Sequence, residues 1–363
     1  MPSLSKSRVE SLDWLRGLVA LSIMFYHLSY WCFQQKDASS VLGRLGIYGV
    51  SIFFVLSGLS VAIAYHHYVK DMKTILRFLV RRLFRIWPLL WIATTLTAVA
   101  FFVKTRVFSW ELFLINITTL FGFFDPDACI ATGAWSIGNE MVYYVLTPFI
   151  FALYNYKRWA GNISFVLSLS IGALFAFYFL DPRIPLARQW SVYINPFNNF
   201  FLYVSGIAMY YNFRNVRINP KISSTLLLAA CVLFSLLPFG GDQISIVTGL
   251  GRIVFVALVV IIVLCFYKSE LNLAEFISRP LSILGEATYG IYMLHPVAYI
   301  FIHFALAKVH IDNPYLAFSL VIILSVVVAI LSFRLFEQKM IKLGKNVTRS
   351  AQSKDLDVKL SNI

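Results

Sequence analysis

Along this chain apolar residues gather into blocks separated by short polar stretches rich in Lys and Arg. The blocks are close to the ~20 residues a helix needs to cross a hydrocarbon core. Ten are read as spans, at 15–33, 47–66, 86–103, 141–156, 163–180, 193–211, 222–239, 244–267, 284–307 and 315–336. The shortest is 141–156. A further apolar stretch, 111–124, runs into Asp125-Pro126-Asp127 and reads as a re-entrant or interfacial piece. The predicted fold class is all-α: a polytopic transmembrane helix bundle of about ten spans, with residues 1–343 as one transmembrane domain. From Gly344 to Ile363 the chain is polar, mixed in charge and without an apolar stripe, which predicts a disordered cytoplasmic tail. The first run opens with Asp13 and Arg16 and has no small-residue cleavage site after it, so it reads as a retained span. No internal repeat is found, which disfavours an inverted-repeat transporter.

Composition agrees with this pattern. The chain is 59% hydrophobic and 13% charged, against roughly a quarter charged in soluble domains. Its net charge of +14 would suggest nucleic acid in a soluble protein. Here the placement of charge matters more. With a cytoplasmic N-terminus, the inner loops take Lys70, Lys73, Arg77, Arg81, Arg82, Arg85, Lys157, Arg158, Arg214, Arg217, Lys221, Lys268, Arg279 and the basic residues of both ends. The outer loops take only Lys36, Arg44, Lys104, Arg106, Arg183, Arg188 and Lys308, an asymmetry of about three to one. Both termini are therefore expected inside, and the basic loops are expected to face anionic membrane lipid, with no nucleic acid partner. The four cysteines show no metal-ligand spacing, and no metal is expected. Cys231 and Cys265 sit in apolar runs, whereas Cys32 and Cys129 both fall outside, which leaves a disulfide between them open.

Ionisable residues inside spans are costly and mark candidate sites. Arg16 and His27, eleven residues apart on the first span, fall near one helix face about 16 Å apart along the axis. Arg77, Arg81 and Arg85 recur every four residues, with Arg82 beside them. Such a row suits phosphate through paired N–H donors, and it equally suits a positive-inside anchor. Glu140 stands at the outer edge of the fourth span, with Tyr143 and Tyr144 placed to flank it. Arg252 lies inside the eighth span, and His295, followed by Pro296, lies midway through the ninth. Small residues at Gly49, Ser57 and Gly58 read as helix-packing positions. Sorted by depth, His27, Glu140, Arg252 and His295 fall in the outer half, and Arg16, Arg81, Arg82 and Arg85 at the inner surface.

These residues carry a family resemblance. Arg16 with His27, Phe53-Phe54-Val55-Leu56-Ser57-Gly58, the run Arg81-Arg82 to Arg85-Ile86-Trp87-Pro88, Trp135-Ser136 to Glu140, Tyr289 to His295-Pro296, and the late Glu337 occur in one order. In this they resemble the membrane-bound acyltransferase-3 family, whose members O-acetylate or otherwise acylate extracytoplasmic glycans. The likeness is to the stand-alone form. It departs after Glu337, where Met340 follows Gln338-Lys339 in place of the family's frequent proline. The resemblance implies acyl-CoA, most often acetyl-CoA, as donor and a glycan or lipid-linked sugar as acceptor, at a bacterial inner membrane. It also implies donor phosphates on the arginines and His27 as general base or acyl carrier. Glu140 would orient His27 or bind the sugar, and Arg252 or His295 would stabilise the oxyanion. The alternative is a proton-coupled transporter of a small anionic or sugar-like solute, since Arg, His and Glu in spans also build proton relays.

Overall fold

The computed structural model describes residues 9–34, 37–269, 271 and 273–361, with side chains to Arg349. Among these residues every regular element is helical. The principal helices are α1 (Glu10–Phe33), α2 (Val41–Tyr65), α3 (Met72–Thr105), α4 (Trp110–Ile117), α5 (Ala134–Tyr156), α6 (Arg158–Leu174) and α7 (Pro196–Phe213). They continue with α8 (Pro220–Leu236), α9 (Gly249–Lys268), α10 (Glu275–Glu286), α11 (Thr288–Lys308), α12 (Pro314–Ser332) and α13 (Gln338–Ser361).

Local chemistry sets many of the starts. Three helices begin at Asn-Pro. Asn195, Asn219 and Asn313 accept from the second helical N–H, while the proline supplies a helical φ at the first position. α3 starts at a capping box between Asp71 and Thr74. The hydrogen bonds from Thr74 hold the exposed Asp71 carboxyl below the usual carboxylate range.

Six segments are long and apolar enough to cross a membrane: Val41–Tyr65, Met72–Thr105, Arg158–Phe179, Gly249–Lys268, Thr288–Lys308 and Pro314–Arg349. The chain is thus an all-helical, multi-pass membrane protein. The other four expected spans are also helical, as α1, α5, α7 and α8. Some bounds differ from those read in the sequence. α3 is 34 residues long, roughly 50 Å, so its basic first turns project beyond a ~30 Å hydrocarbon layer. The 244–267 block is broken, because Thr248 is extended between a short turn at Ile244–Val247 and α9. The 111–124 stretch forms α4 and a further turn at Phe121–Phe124, which packs on α5.

α2 is central. It lies against α7 through glycines: a Cβ on Gly58 would fall 1.9 Å from the Tyr203 carbonyl oxygen, and one on Gly206 2.1 Å from that of Val55. α1 packs on α2, α10 and α11, and the Trp14 indole N–H donates to Ser282 Oγ at 2.9 Å. Arg44, expected among exposed outer charges, is buried instead. Its guanidinium donates to the carbonyls of Ala38, Phe234, Ser235, Leu237 and Phe239 at 2.6–2.9 Å, closing the C-terminal end of α8. All four cysteines are unbridged. Past Gly344 the chain stays helical: Gly344 packs on Phe84, and the Thr348 hydroxyl accepts from Arg81 Nε at 2.8 Å. The side chains of the remainder of the expected tail lie outside the described residues.

Candidate functional site

A cavity of about 610 Å³ opens among α1, α2, α3, α5, α10, α11 and α13. Arg16, Arg82, Arg85 and Lys345 line it, together with Asp13, Glu140 and Glu286. Two of these carboxylates are held locally. Asp13 accepts from Arg16 at 2.5 Å, and Arg16 also donates to Ser60. Glu140 Oε1 accepts from both Ser57 Oγ and Tyr144 O–H. Tyr143 turns the other way, donating to the Pro196 carbonyl at 2.7 Å.

Arg82 is the most enclosed of the cations, 9% exposed. Its guanidinium lies over Tyr65 at 4.7 Å, Tyr144 at 5.4 Å and Phe78 at 5.7 Å. Its Nε is buried without a hydrogen-bond partner among the described residues. Aromatic faces stabilise a cation without using its N–H donors. A buried donor without an acceptor is costly. Arg82 is thus a charged side chain held largely by aromatic faces at the wall of the cavity, where it could pair with an anion.

Along α11 the lining runs through Thr288, Tyr289 and Tyr292, and the next turn carries His295. His295 Nε2 lies 2.8 Å from His27 Nδ1, and the rings are near-parallel. His295 Nδ1 is 2.9 Å from the Ile291 carbonyl oxygen. A carbonyl only accepts, so the neutral His295 carries its proton on Nδ1 and leaves Nε2 as an acceptor. His27 must then donate from Nδ1, which places its lone pair on Nε2. One imidazole thus fixes the tautomer of the other. Trp31, one turn beyond His27, stacks on it with centroids 5.2 Å apart and lies 5.9 Å from His295.

The sequence candidates divide accordingly. His27 and His295 are brought together, and Arg16, Arg82, Arg85 and Glu140 share the cavity. Glu140 does not stand beside His27 as its expected orienter, since its partners are Ser57 and Tyr144. Arg252 is not at the site. It donates to the Asn198 carbonyl at 2.8 Å and to Asn199 Oδ1 at 3.3 Å, fastening the start of α7 beside the break before α9. The even row of arginines is split as well: Arg82 and Arg85 face the cavity, while Arg81 turns to Thr348 and the Tyr68 ring, and Arg77 is not among the lining residues. Ser57, read as a packing position, holds Glu140. Lys345, placed by sequence in the tail, faces the cavity because α13 packs along α3. Trp31 had one available signal, its i,i+4 spacing from His27.

A cavity between apolar helices, lined by a buried arginine and further cations and lying one helical turn from a histidine pair, is the kind of site an integral membrane enzyme carries. The acyltransferase-domain family matches residues 9–334, and the chain belongs to that family. Among curated proteins it is similar to the peptidoglycan O-acetyltransferase OatA of Listeria monocytogenes, 24% identical over 374 residues, covering 94% of this chain and 57% of that protein. It is also similar to the O-acetyltransferase OatA of Staphylococcus aureus, 26% identical over 365 residues, covering 93% of this chain and 58% of that one. ORF330 of Acidianus two-tailed virus is 26% identical over 290 residues, covering 77% of this chain and 80% of that one. The chain thus spans little more than half the length of the two OatA proteins. No solved structure matches.

Proposed function

We propose that the protein is a ten-span O-acyltransferase that carries an acyl group, acetyl in the first instance, from cytoplasmic acyl-CoA to a hydroxyl of an extracytoplasmic glycan or lipid-linked sugar. The observation that carries this reading is the single cavity that joins Arg16, Arg82, Arg85 and Lys345 to the turn of α11 preceding the His27–His295 pair. A donor with a multiply charged phosphate end and a long thin arm matches that shape. Its phosphates meet the cations, its arm follows α2 and α11, and its thioester comes towards the imidazoles.

In this mechanism His27 Nε2 takes the proton of the acceptor hydroxyl as the oxygen attacks the thioester carbonyl. The tetrahedral intermediate collapses with loss of the C–S bond, and the thiolate recovers the proton from the His27 imidazolium. The products are the O-acyl ester and free coenzyme A. His295 is a positioning residue that holds the His27 ring and tautomer. Glu140, Ser57 and Tyr144 shape the cavity beside Arg82.

The test is transfer of label. Membranes containing the protein, given radiolabelled acetyl-CoA, are expected to label extractable glycan. His27→Ala should lower that label by about 10²-fold or more with the same amount of protein in the membrane. Full labelling by the variant would sink the proposal.

A further inference from the structure

Neither imidazole lines the cavity, but two of its lining rings, Tyr292 and Phe53, lead from it towards the pair. Phe53 and Tyr292 both line it and meet edge to face, with centroids 5.9 Å apart at 86°. Tyr292 is in turn 6.4 Å from the His295 ring, and neither imidazole is a lining residue. Phe53 also packs against the apolar cluster of Ala20, Met24 and Ile291, which belongs to α1 and α11, the helices that bear the two histidines. Of the cavity's lining rings, Tyr292 thus meets the imidazole pair and Phe53 meets Tyr292.

The rings are held differently. The Tyr292 hydroxyl is tied at both ends of its capacity: it donates to the Gly133 carbonyl at 3.0 Å and lies 2.9 Å from Ser136 Oγ. Gly133 itself needs to be glycine, with φ +83° and room for a Cβ only 2.9 Å from that hydroxyl. Phe53 has no polar anchor. It is half-buried and held by packing alone. Of the two, Phe53 is the ring whose size and position can change without breaking a hydrogen bond.

Resting on the acyltransferase reading above, we propose that Phe53 sets the acyl chain length the enzyme accepts. The carbonyl carbon of the donor must come within reach of the hydroxyl activated by His27. The rest of the acyl group then lies against the Phe53 ring. An acetyl methyl fits there, and each further carbon needs volume the ring occupies. An apolar pocket wall discriminates by about 10–200-fold per methylene.

The experiment compares acetyl-, propionyl- and butyryl-CoA as donors to the same membrane glycan, reading kcat/KM for each. The wild type is expected to lose about 10-fold or more with each added carbon. Phe53→Ala should raise the butyryl-to-acetyl ratio by about 10-fold or more, and Phe53→Leu should raise it less. The ratio does not depend on how much of a variant folds, and the Leu variant reports if the Ala variant yields no protein. Unchanged ratios in both variants, or a wild type indifferent to chain length, would overturn the inference while leaving the acyltransferase reading intact. No transfer by the wild type from any of the three would overturn that reading and the inference with it.

Discussion

At the scale of single residues the proposed mechanism depends on which nitrogen of His27 holds the lone pair. His295 decides this through a chain of two contacts, from the Ile291 carbonyl to Nδ1 and from Nε2 to His27. Removing the acceptor lets the His27 ring rotate and change tautomer. His295→Phe is therefore expected to lower kcat about 10²-fold and leave KM for acyl-CoA unchanged, because His295 does not line the donor cavity. His295→Asn, whose amide oxygen can accept from His27 Nδ1, should recover part of kcat. A Phe variant with wild-type kcat would refute the pairing. Each histidine was legible alone as a costly polar group in an apolar run, but their partnership was not. The two lie 268 positions apart, and no local spacing links them. The arginines show the converse failure. Spacing of four put Arg77, Arg81 and Arg85 on one face, yet α13 lies along α3 and draws Arg81 away, and Arg82 enters the cavity instead. Side-chain direction on a helix is set by its neighbours as well as by its period.

At the scale of helices, apolar pattern found the elements and polar chemistry obscured some of their bounds. α1 and α5 fall outside the segments apolar enough to count as spans. They carry Asp13, Arg16 and His27 in one case and Ser136, Asn139 and Glu140 in the other. These polar groups lower the apolar content of α1 and α5, whereas α2, α3 and α11 also line the cavity and still count as spans. The break at Thr248 was passed over within the long apolar run, although Thr248-Gly249-Leu250-Gly251 marks it, with Thr248 extended and Gly249 at φ +53°. The glycines were more readable. Gly58 was expected at a close approach, and α2 meets α7 there, with Gly206 as its counterpart. Without a hydrophobic drive between helices in lipid, such backbone proximity is a main source of association. A methyl group at position 206 would sit 2.1 Å from the Val55 carbonyl oxygen, a backbone atom that cannot swing aside. Gly206→Ala is expected to cost about 1–3 kcal/mol, seen as a lower Tm in detergent. The same change at Gly241, where a Cβ meets nothing within 4 Å but φ is +72°, isolates the cost of backbone strain from that of packing. Equal Tm for Gly206→Ala and wild type would contradict this packing.

At the scale of the whole molecule the proposed chemistry demands a sidedness. A phosphate-bearing donor stays in the compartment where it is made, because charged groups cross hydrocarbon poorly. An extracytoplasmic acceptor stays on the other side. One protein can serve both only if its cation-lined cavity opens inward and its imidazole pair is reached from outside. The loop charges are read to the same orientation, with Arg82 and Arg85 counted in both. Under the proposed function, their excess over Lys70–Arg85, Lys157–Arg158 and Arg214–Lys221 is expected to place the start of α3 inside, where Arg82 and Arg85 join the cavity. His27 lies eleven residues beyond Arg16 on α1, about 16 Å deeper. The proposed ten spans with both ends inside would satisfy the two requirements together, whereas an odd number would put one basic end on the other face. The arrangement can be mapped with single cysteines, once Cys32, Cys129, Cys231 and Cys265 are replaced by Ser. Arg183→Cys and Lys308→Cys should react with a membrane-impermeant maleimide in intact cells. Lys157→Cys and Lys268→Cys should react only after the membrane is opened. Labelling of Lys157→Cys from outside would invert or break the topology, and it would remove the reason for placing donor and acceptor on opposite sides of the histidine pair.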